Sequence, residues 1–319
     1  PHLFYSIYYT MTSNNFSNLV GQEEVKRKLS FYADAQNATG KSPFIMLSGA
    51  KGLGKTQFAR SYSNSLKNKD GSKRPFLEIN CSTIPNASSF FTQIFLPIVM
   101  HNEVTVFFDE AHCLPKDLTN AFLTIFNTEM ESWREFMYKE ENYSFDFEKQ
   151  NYIFATTELD KIFPPLKDRL SMIDFAPYEV GELGEIVRSQ SKVNIEDDIL
   201  QDVASTARGN ARSAVKRAKE ILLFVESRDC PTFNKKAWDE MKYILGIKPM
   251  GLSNIEVEIL RILDERGDCT LQMLSSVTGM SRSALQRDAE IYLLRQGLLK
   301  IDGLRKITKK GVDLLKMVK

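Results

Sequence analysis

Two stretches of this 319-residue chain carry residue types at spacings suited to chemistry on phosphates. "GAKGLGKT", from Gly49 to Thr56, fits the pattern G-x-x-x-x-G-K-[ST] and lies between an apolar run, "FIMLSG", and an amphipathic one, "KTQFARSYSNSL". Gly49, Gly52 and Gly54 let successive backbone N–H groups turn inward around phosphate oxygens, and a helix start adds its positive end. Lys55 reaches the β- and γ-phosphates, the Thr56 hydroxyl can ligate Mg²⁺, and Leu53 and Gln57 complete the lining. Further on, "VTVFFDEAH" is an apolar strand ending in two carboxylates. Asp109 is suited to hold Mg²⁺, usually through water, and Glu110 to polarise an attacking water. The carboxylate pair alone is a moderate signal. Joined to the glycine loop, it predicts binding and hydrolysis of ATP.

A third apolar run, "NYIFATT", brings Thr156 and Thr157 to the same edge. A hydroxyl there could orient the hydrolytic water, although the preference of threonine for strands explains the pair equally well. "DEAH" also spells a superfamily-two helicase motif, but such enzymes need two consecutive nucleotide-binding folds and this chain has room for one. "PPLKDRL" then places Arg169 just after a double proline. It reads either as a surface salt bridge or as a charge meant for another subunit's nucleotide.

These residues need a scaffold. From Phe16 to about Tyr178 strand and helix patterns alternate, which predicts a parallel sheet with helices on both faces, an α/β fold. "FLEIN" is a further strand, and a helix is expected over about 117–130. The period-two segment "EFMYKEENYSFDFEKQ", broken near 140–142, predicts a β-hairpin over 134–150. From Glu182 to about Leu245 the pattern is helical, with a break at "RGNAR". The connector "GIKPMGLS" holds two glycines and a proline and reads as a domain boundary. Beyond it come two helices, a turn at Gly279, a third helix capped by Ser281 and two short strands around Asp302–Gly303, a winged helix. The expected division is a tail (1–15), a large ATPase domain (16–178), a helical lid (179–247) and a winged-helix DNA-binding domain (248–319).

Composition narrows the class. Apolar content of 43% and charged content of 26% fit a soluble globular protein. No apolar run approaches the ~20 residues that span a bilayer. "PHLFYSIYYT" lacks the basic region and cleavage site of a signal peptide, and the polar start at Met11 makes the first ten residues read as read-through or an artefact. Four scattered cysteines without a C-x-x-C pair, and three histidines without ligand spacing, argue against structural zinc or disulfides. They fit a reducing, cytoplasmic setting. A net charge of +1 means that any nucleic-acid signal is local.

The order of parts resembles the AAA+ ATPases and, among them, the RuvB family of bacterial Holliday-junction branch-migration motors. The likeness runs through "LVGQEEVKRKLSFYADAQ", the phosphate loop, "FFDEAH", "FATTELDKIFPPLKDRL", "ARGNARSAVKRAKEIL", "MKYILGIKPMGLSNIEVEILRIL" and "YLLRQGLLK". It implies that Leu19, Val20, Gly21 and Gln22 lie near the adenine and that Thr157 is the sensor-1 residue. It further implies that Arg169 is an arginine finger and Arg212 the sensor-2 arginine, reading the γ-phosphate in its own subunit. A helix-surface arginine is the plainer reading of Arg212. The family also carries a β-hairpin that docks onto its partner RuvA, which makes Phe136, Tyr138, Tyr143 and Phe145 candidates for such a contact; packing on the same domain is equally plausible. Glu158 stands where the family usually has an arginine, and Lys167 replaces another. The divergence suggests a phage-borne or otherwise remote member.

Residues 300–319 hold seven basic residues against two acidic ones, a local excess of +5. Arg282, Arg287, Arg305, Lys306, Lys309 and Lys310 are the candidate phosphate contacts, without base-specific reading. A helix-turn-helix shape with a solvated basic face is the plainer alternative. The combined expectation is an ATP- and Mg²⁺-dependent homo-oligomeric ring, a hexamer, acting on duplex or four-way junction DNA with a RuvA-like partner and no membrane. A clamp-loader or helicase-loader subunit, and an ATP-switched DNA-binding regulator, are the rival expectations. The intact Asp109–Glu110 pair speaks against the switch.

Overall fold

The structure, a computed structural model, describes residues 16–126, 133–138, 141–146, 149–229 and 232–318. It divides into two compact units, one ending at Tyr178 and one beginning at Glu179. The first unit runs α1 (Glu23–Thr39), β1 (Ile45–Ser48), α2 (Lys55–Ser65) and β2 (Phe76–Asn80), then a short helix, Ala87–Phe90, that continues as a π-helix, Phe91–Val99. After β3 (Val104–Asp109) and α3 (Lys116–Ile125) come β4 (Trp133–Tyr138), β5 (Glu141–Asp146), β6 (Gln150–Thr156), α4 (Pro164–Lys167) and β7 (Ser171–Asp174).

Five parallel strands form the sheet in the order β2-β3-β6-β1-β7. The interior strands β3, β6 and β1 are buried along nearly their whole length because the sheet is covered on both faces, so side chains pointing either way are enclosed. Phe108 of β3 stacks on Phe154 of β6 at 4.8 Å, and Phe122 of α3 meets both edge-on. The π-helix holds Pro97, whose missing N–H costs less where the turn is already widened.

The strands expected from sequence are present, and β7 is a fifth that pairs with β1. The period-two segment forms the expected hairpin, antiparallel from Trp133 opposite Asp146 to Tyr138 opposite Glu141. The expectations for the tail (1–15) and for the last residues of the helix predicted over 117–130 lie outside the described residues.

The second unit contains α5 (Val180–Ser191), β8 (Asn194–Ile195), α6 (Asp197–Ser205), α7 (Ala211–Arg228), β9 (Thr232–Phe233) and α8 (Lys235–Leu245). Next are α9 (Asn254–Arg266), α10 (Leu271–Thr278) and α11 (Arg282–Leu285), which passes through a π-turn (Gln286–Glu290) into α12 (Ile291–Arg295). The hairpin β10 (Leu299–Asp302) and β11 (Leu304–Ile307) and the helix α13 (Lys309–Met317) close the chain. Ser281 caps α11 as expected, accepting from the Ala284 N–H at 3.2 Å. The helical 182–245 stretch also contains a two-residue parallel ladder, β8 with β9, and α13 was not expected.

The "GIKPMGLS" connector is a packed joint within this unit. A Cβ at Gly251 would stand 2.4 Å from the Thr206 carbonyl oxygen, so only glycine fits. Arg208 donates to both Glu256 carboxylate oxygens, at 3.1 and 2.7 Å, and its guanidinium lies 3.5 Å over the Tyr292 ring. The Tyr292 hydroxyl donates to the Met250 carbonyl at 2.6 Å. Glu256 is fully buried and also closes the capping box of α9 with Ser253.

Candidate functional site

The glycine loop links β1 to α2 at the C-terminal edge of the sheet, where ligands of open α/β sheets bind. At Gly49 φ is +144°, and a Cβ there would meet Phe175 at 2.9 Å, so the loop passes where no side chain fits. Lys55 opens α2 and folds back over the loop, donating to the carbonyls of Gly49 at 2.7 Å and Ala50 at 2.9 Å. An ammonium held by main-chain carbonyls, at a helix N-terminus, stands among donors suited to phosphate. Thr56 is half-buried beside it, Gln57 is exposed, and the buried Leu53 accepts through its carbonyl from the Tyr178 hydroxyl at 3.1 Å. Leu19 and Val20 are half-buried at the entry to α1. Gln22, in a left-handed conformation, ties that entry to Ala176 through a donated bond of 2.6 Å and an accepted one of 3.3 Å.

Asp109 ends β3, in register beside Asn80 of β2. Glu110 follows with φ 54° and ψ 48°, a left-handed conformation that costs a non-glycine residue roughly 1–3 kcal/mol and clusters at functional sites. Its N–H donates to Asp109 Oδ1 at 3.0 Å, and its Oε2 accepts from the Thr157 hydroxyl at 3.4 Å. The two threonines at the end of β6 therefore differ. Thr157 meets Glu110, whereas Thr156 accepts from the Glu158 N–H at 3.0 Å and lies 3.1 Å from His112 Nδ1. The Lys161 ammonium beside Glu158 holds that carboxyl below the ordinary carboxylate range. Burial pushes the neighbouring Cys81 thiol upward, with Asp109 adding to the effect, so this cysteine stays protonated.

Arg169 follows α4 and is half-buried. Its Nη1 donates to the Pro165 carbonyl at 2.7 Å, and its Nε is buried with no hydrogen-bond partner among the described residues. The salt-bridge reading finds no carboxylate for it there. Arg212 is exposed in the first turn of α7.

The basic residues of the winged helix divide. Arg282 and Lys309 are exposed at helix starts. Arg287 forms a two-bond pair with its neighbour Asp288, at 2.7 and 2.9 Å, and Lys310 donates to the Gln296 carbonyl at 2.8 Å. Lys306 pairs with Asp268 at 3.0 Å. Arg305 departs from the expected phosphate-contact role: it pairs with Glu290 at 2.6 Å, the two side chains being 12% and 4% exposed, and it braces the wing against the end of the π-turn. On the hairpin, Tyr143 packs against the core and Met137 is strongly exposed, while the side chains of Phe136, Tyr138 and Phe145 lie outside the described residues.

Sequence reasoning missed His112, Glu256 and the Arg208 joint. His112 carried no ligand spacing, and each of these partnerships forms between distant segments. The one local signal was the departure at Glu158.

Residues 45–178 match the AAA family, the ATPases associated with various cellular activities, and residues 249–316 match the RuvB C-terminal winged helix domain. The chain is similar to RuvB proteins over most of its length. The RuvB subunit of the Holliday junction branch migration complex of Mycoplasmopsis pulmonis is 24% identical over 320 residues, covering 95% of this chain and 97% of that one. The RuvB of Pseudothermotoga lettingae is 27% identical over 314 residues, covering 92% and 86%. Among solved structures, the Thermotoga maritima RuvB Holliday junction branch migration motor shares the fold, with a TM-score of 0.73 at 23% identity over 96% of this chain and 98% of that one. The RuvB likeness thus spans the ATPase unit and the winged helix together, and the relatives cited are branch-migration subunits rather than loaders. Among the described residues no helix is long and apolar enough to cross a membrane.

Proposed function

We propose that this protein is an ATP-driven motor that moves the branch point of Holliday junctions, working in the cytoplasm as a hexameric ring of identical subunits. The observation that carries the reading is the meeting of Glu110 and Thr157 at the sheet edge beside the glycine loop, with Glu110 held in a strained left-handed conformation. In this reading the loop amides and Lys55 hold the β- and γ-phosphates of ATP, while Leu19, Val20, Gly21 and Gln22 border the adenine. Glu110 polarises the attacking water and Thr157 orients Glu110.

The hydroxyl of Thr56 and the carboxylate of Asp109 are hard oxygen donors and fit Mg²⁺. That ion supplies charge neutralisation between the phosphates when bound. Arg169 acts as a finger in the neighbouring subunit's site, a role supported by its buried Nε, which has no hydrogen-bond partner among the described residues. Arg212, from a helical lid formed by residues 179–247, reads the γ-phosphate of its own subunit. The winged helix, residues 248–319, grips DNA through phosphate contacts at Arg282, Lys309 and Lys310, with Arg287 and Lys306 available if their surface pairs open. The hairpin is the surface offered to a RuvA-like partner.

The test uses mixed subunits. Arg169→Ala is expected to bind ATP and lose about 10³-fold in hydrolysis. Lys55→Ala alone is likewise inactive, and mixing the two restores activity at interfaces where each supplies what the other lacks. A mixture that stays dead, beside an Arg169→Ala chain with normal turnover, would overturn the shared site. Junction migration by the purified protein separates the motor from a loader, which would hydrolyse ATP without moving the branch point.

A further inference from the structure

Glu110 Oε2 has two close neighbours: the Thr157 hydroxyl at 3.4 Å and the His112 ring, whose Nδ1 lies 3.5 Å away. That ring is itself pinned. Its Nε2 stands 3.1 Å from Glu158 Oε1, a carboxylate that makes this nitrogen the donor, and its Nδ1 stands 3.1 Å from Thr156 Oγ1. The His112 side chain is only 11% exposed, so it has little room to leave. Glu158 is fixed in turn: Lys161 pairs with its carboxylate, and Thr156 Oγ1 accepts from its backbone N–H.

We propose that His112 and Glu158 are positioning residues for Glu110: Glu158 fixes the imidazole, and the imidazole limits the orientations open to the carboxylate that activates water. This rests on the reading of Glu110 as the water-polarising group. It also accounts for the departure at position 158. An arginine carries only donors and could not accept a bond from Nε2, so the carboxylate makes the His112 ring a fixed wall in this chain. Neither residue touches the phosphates in this reading, so their effect falls on turnover and not on nucleotide affinity. Misplacing a catalytic group by a fraction of an ångström is enough to slow a reaction substantially.

The experiment compares the parent chain with Glu158→Ala, Glu158→Gln, His112→Ala and the Glu158→Ala/His112→Ala double variant. It measures kcat and KM for ATP hydrolysis, affinity for a fluorescent ATP analogue and Tm. Position 158 is exposed enough for both of its variants to fold. Glu158→Ala is expected to lower kcat about tenfold, leaving analogue affinity and Tm unchanged. Glu158→Gln should retain most of the turnover, because its amide oxygen still accepts from Nε2. The double variant should be no slower than His112→Ala alone, since both act through one ring. Glu158→Ala turnover within twofold of the parent, or losses that simply multiply in the double variant, would overturn the proposal. So would a loss in Glu158→Ala confined to analogue affinity or accompanied by a matching fall in Tm. A parent chain that binds the analogue but never hydrolyses ATP would instead remove the proposed function, and this inference with it.

Discussion

Lys55 in the glycine loop and Arg305 in the wing both read from the sequence as cations facing a ligand, and the structure treats them in opposite ways. Lys55 is held by two carbonyls of its own loop, at the mouth of a helix whose first N–H groups suit an anion. Arg305 is locked onto a nearly buried carboxylate. The difference lies in what the sequence signal specified. In the glycine loop the signal was a spacing, and spacing fixes geometry. In the wing it was a count of charges, which is silent about where each charge finds its partner.

The largest effects that would test this contrast come from removing the two cations in parallel. Lys55→Ala should reduce ATP hydrolysis by at least about 10²-fold while leaving Tm almost unmoved. Arg305→Ala should instead cost about 3–5 kcal/mol of folding stability, because it leaves the Glu290 carboxylate buried and unpaired. Calorimetry and an ATPase assay on both variants would settle the matter; equal Tm values would break the comparison.

A smaller effect separates the units by pH. Burial pushes the Tyr62 phenol in the first unit up to about 12, from an ordinary value near 10. The folded form holds this proton more tightly than the unfolded chain, so the associated stability, about 2–3 kcal/mol, is fully present below pH ~10 and is lost as pH rises through about 12. Denaturant melts of the first unit between pH 9 and 12 should show the decline, and Tyr62→Phe should flatten it. The smallest effect belongs to the exposed Lys309. Lys309→Gln should leave Tm unchanged and lower the slope of log DNA affinity against log salt by about one. An unchanged slope would remove Lys309 from the grip.

The legible parts of the fold were those whose signal is local. The glycine loop, the strand ending in Asp109, the hairpin's alternation and the Ser281 cap each lie within one short continuous segment, and each is present. β7 was missed because four residues, only one of them buried, carry no pattern of their own; they become a strand by pairing with β1, more than a hundred residues earlier. The β8–β9 ladder has two residues a side, too few for any period. At the site the same division holds. Motifs drew attention to Lys55, Asp109 and Glu110, and the strand end to Thr157, whereas His112 is held by Thr156 and Glu158, 44 residues or more further along. The pairing of Arg305 carried no local signal, because Glu290 lies fifteen residues away, beyond α12 and the first strand of the wing.

The joint at Arg208 has a mechanical consequence. Planar guanidinium, buried carboxylate and aromatic ring fit face to face and edge to edge, and close packing at Gly251 removes the remaining play. Such a joint ties the turn before α7 to α9 and α12 through directional contacts. A load carried along α9 or α12 therefore meets the "RGNAR" turn directly at Arg208, four positions before Arg212.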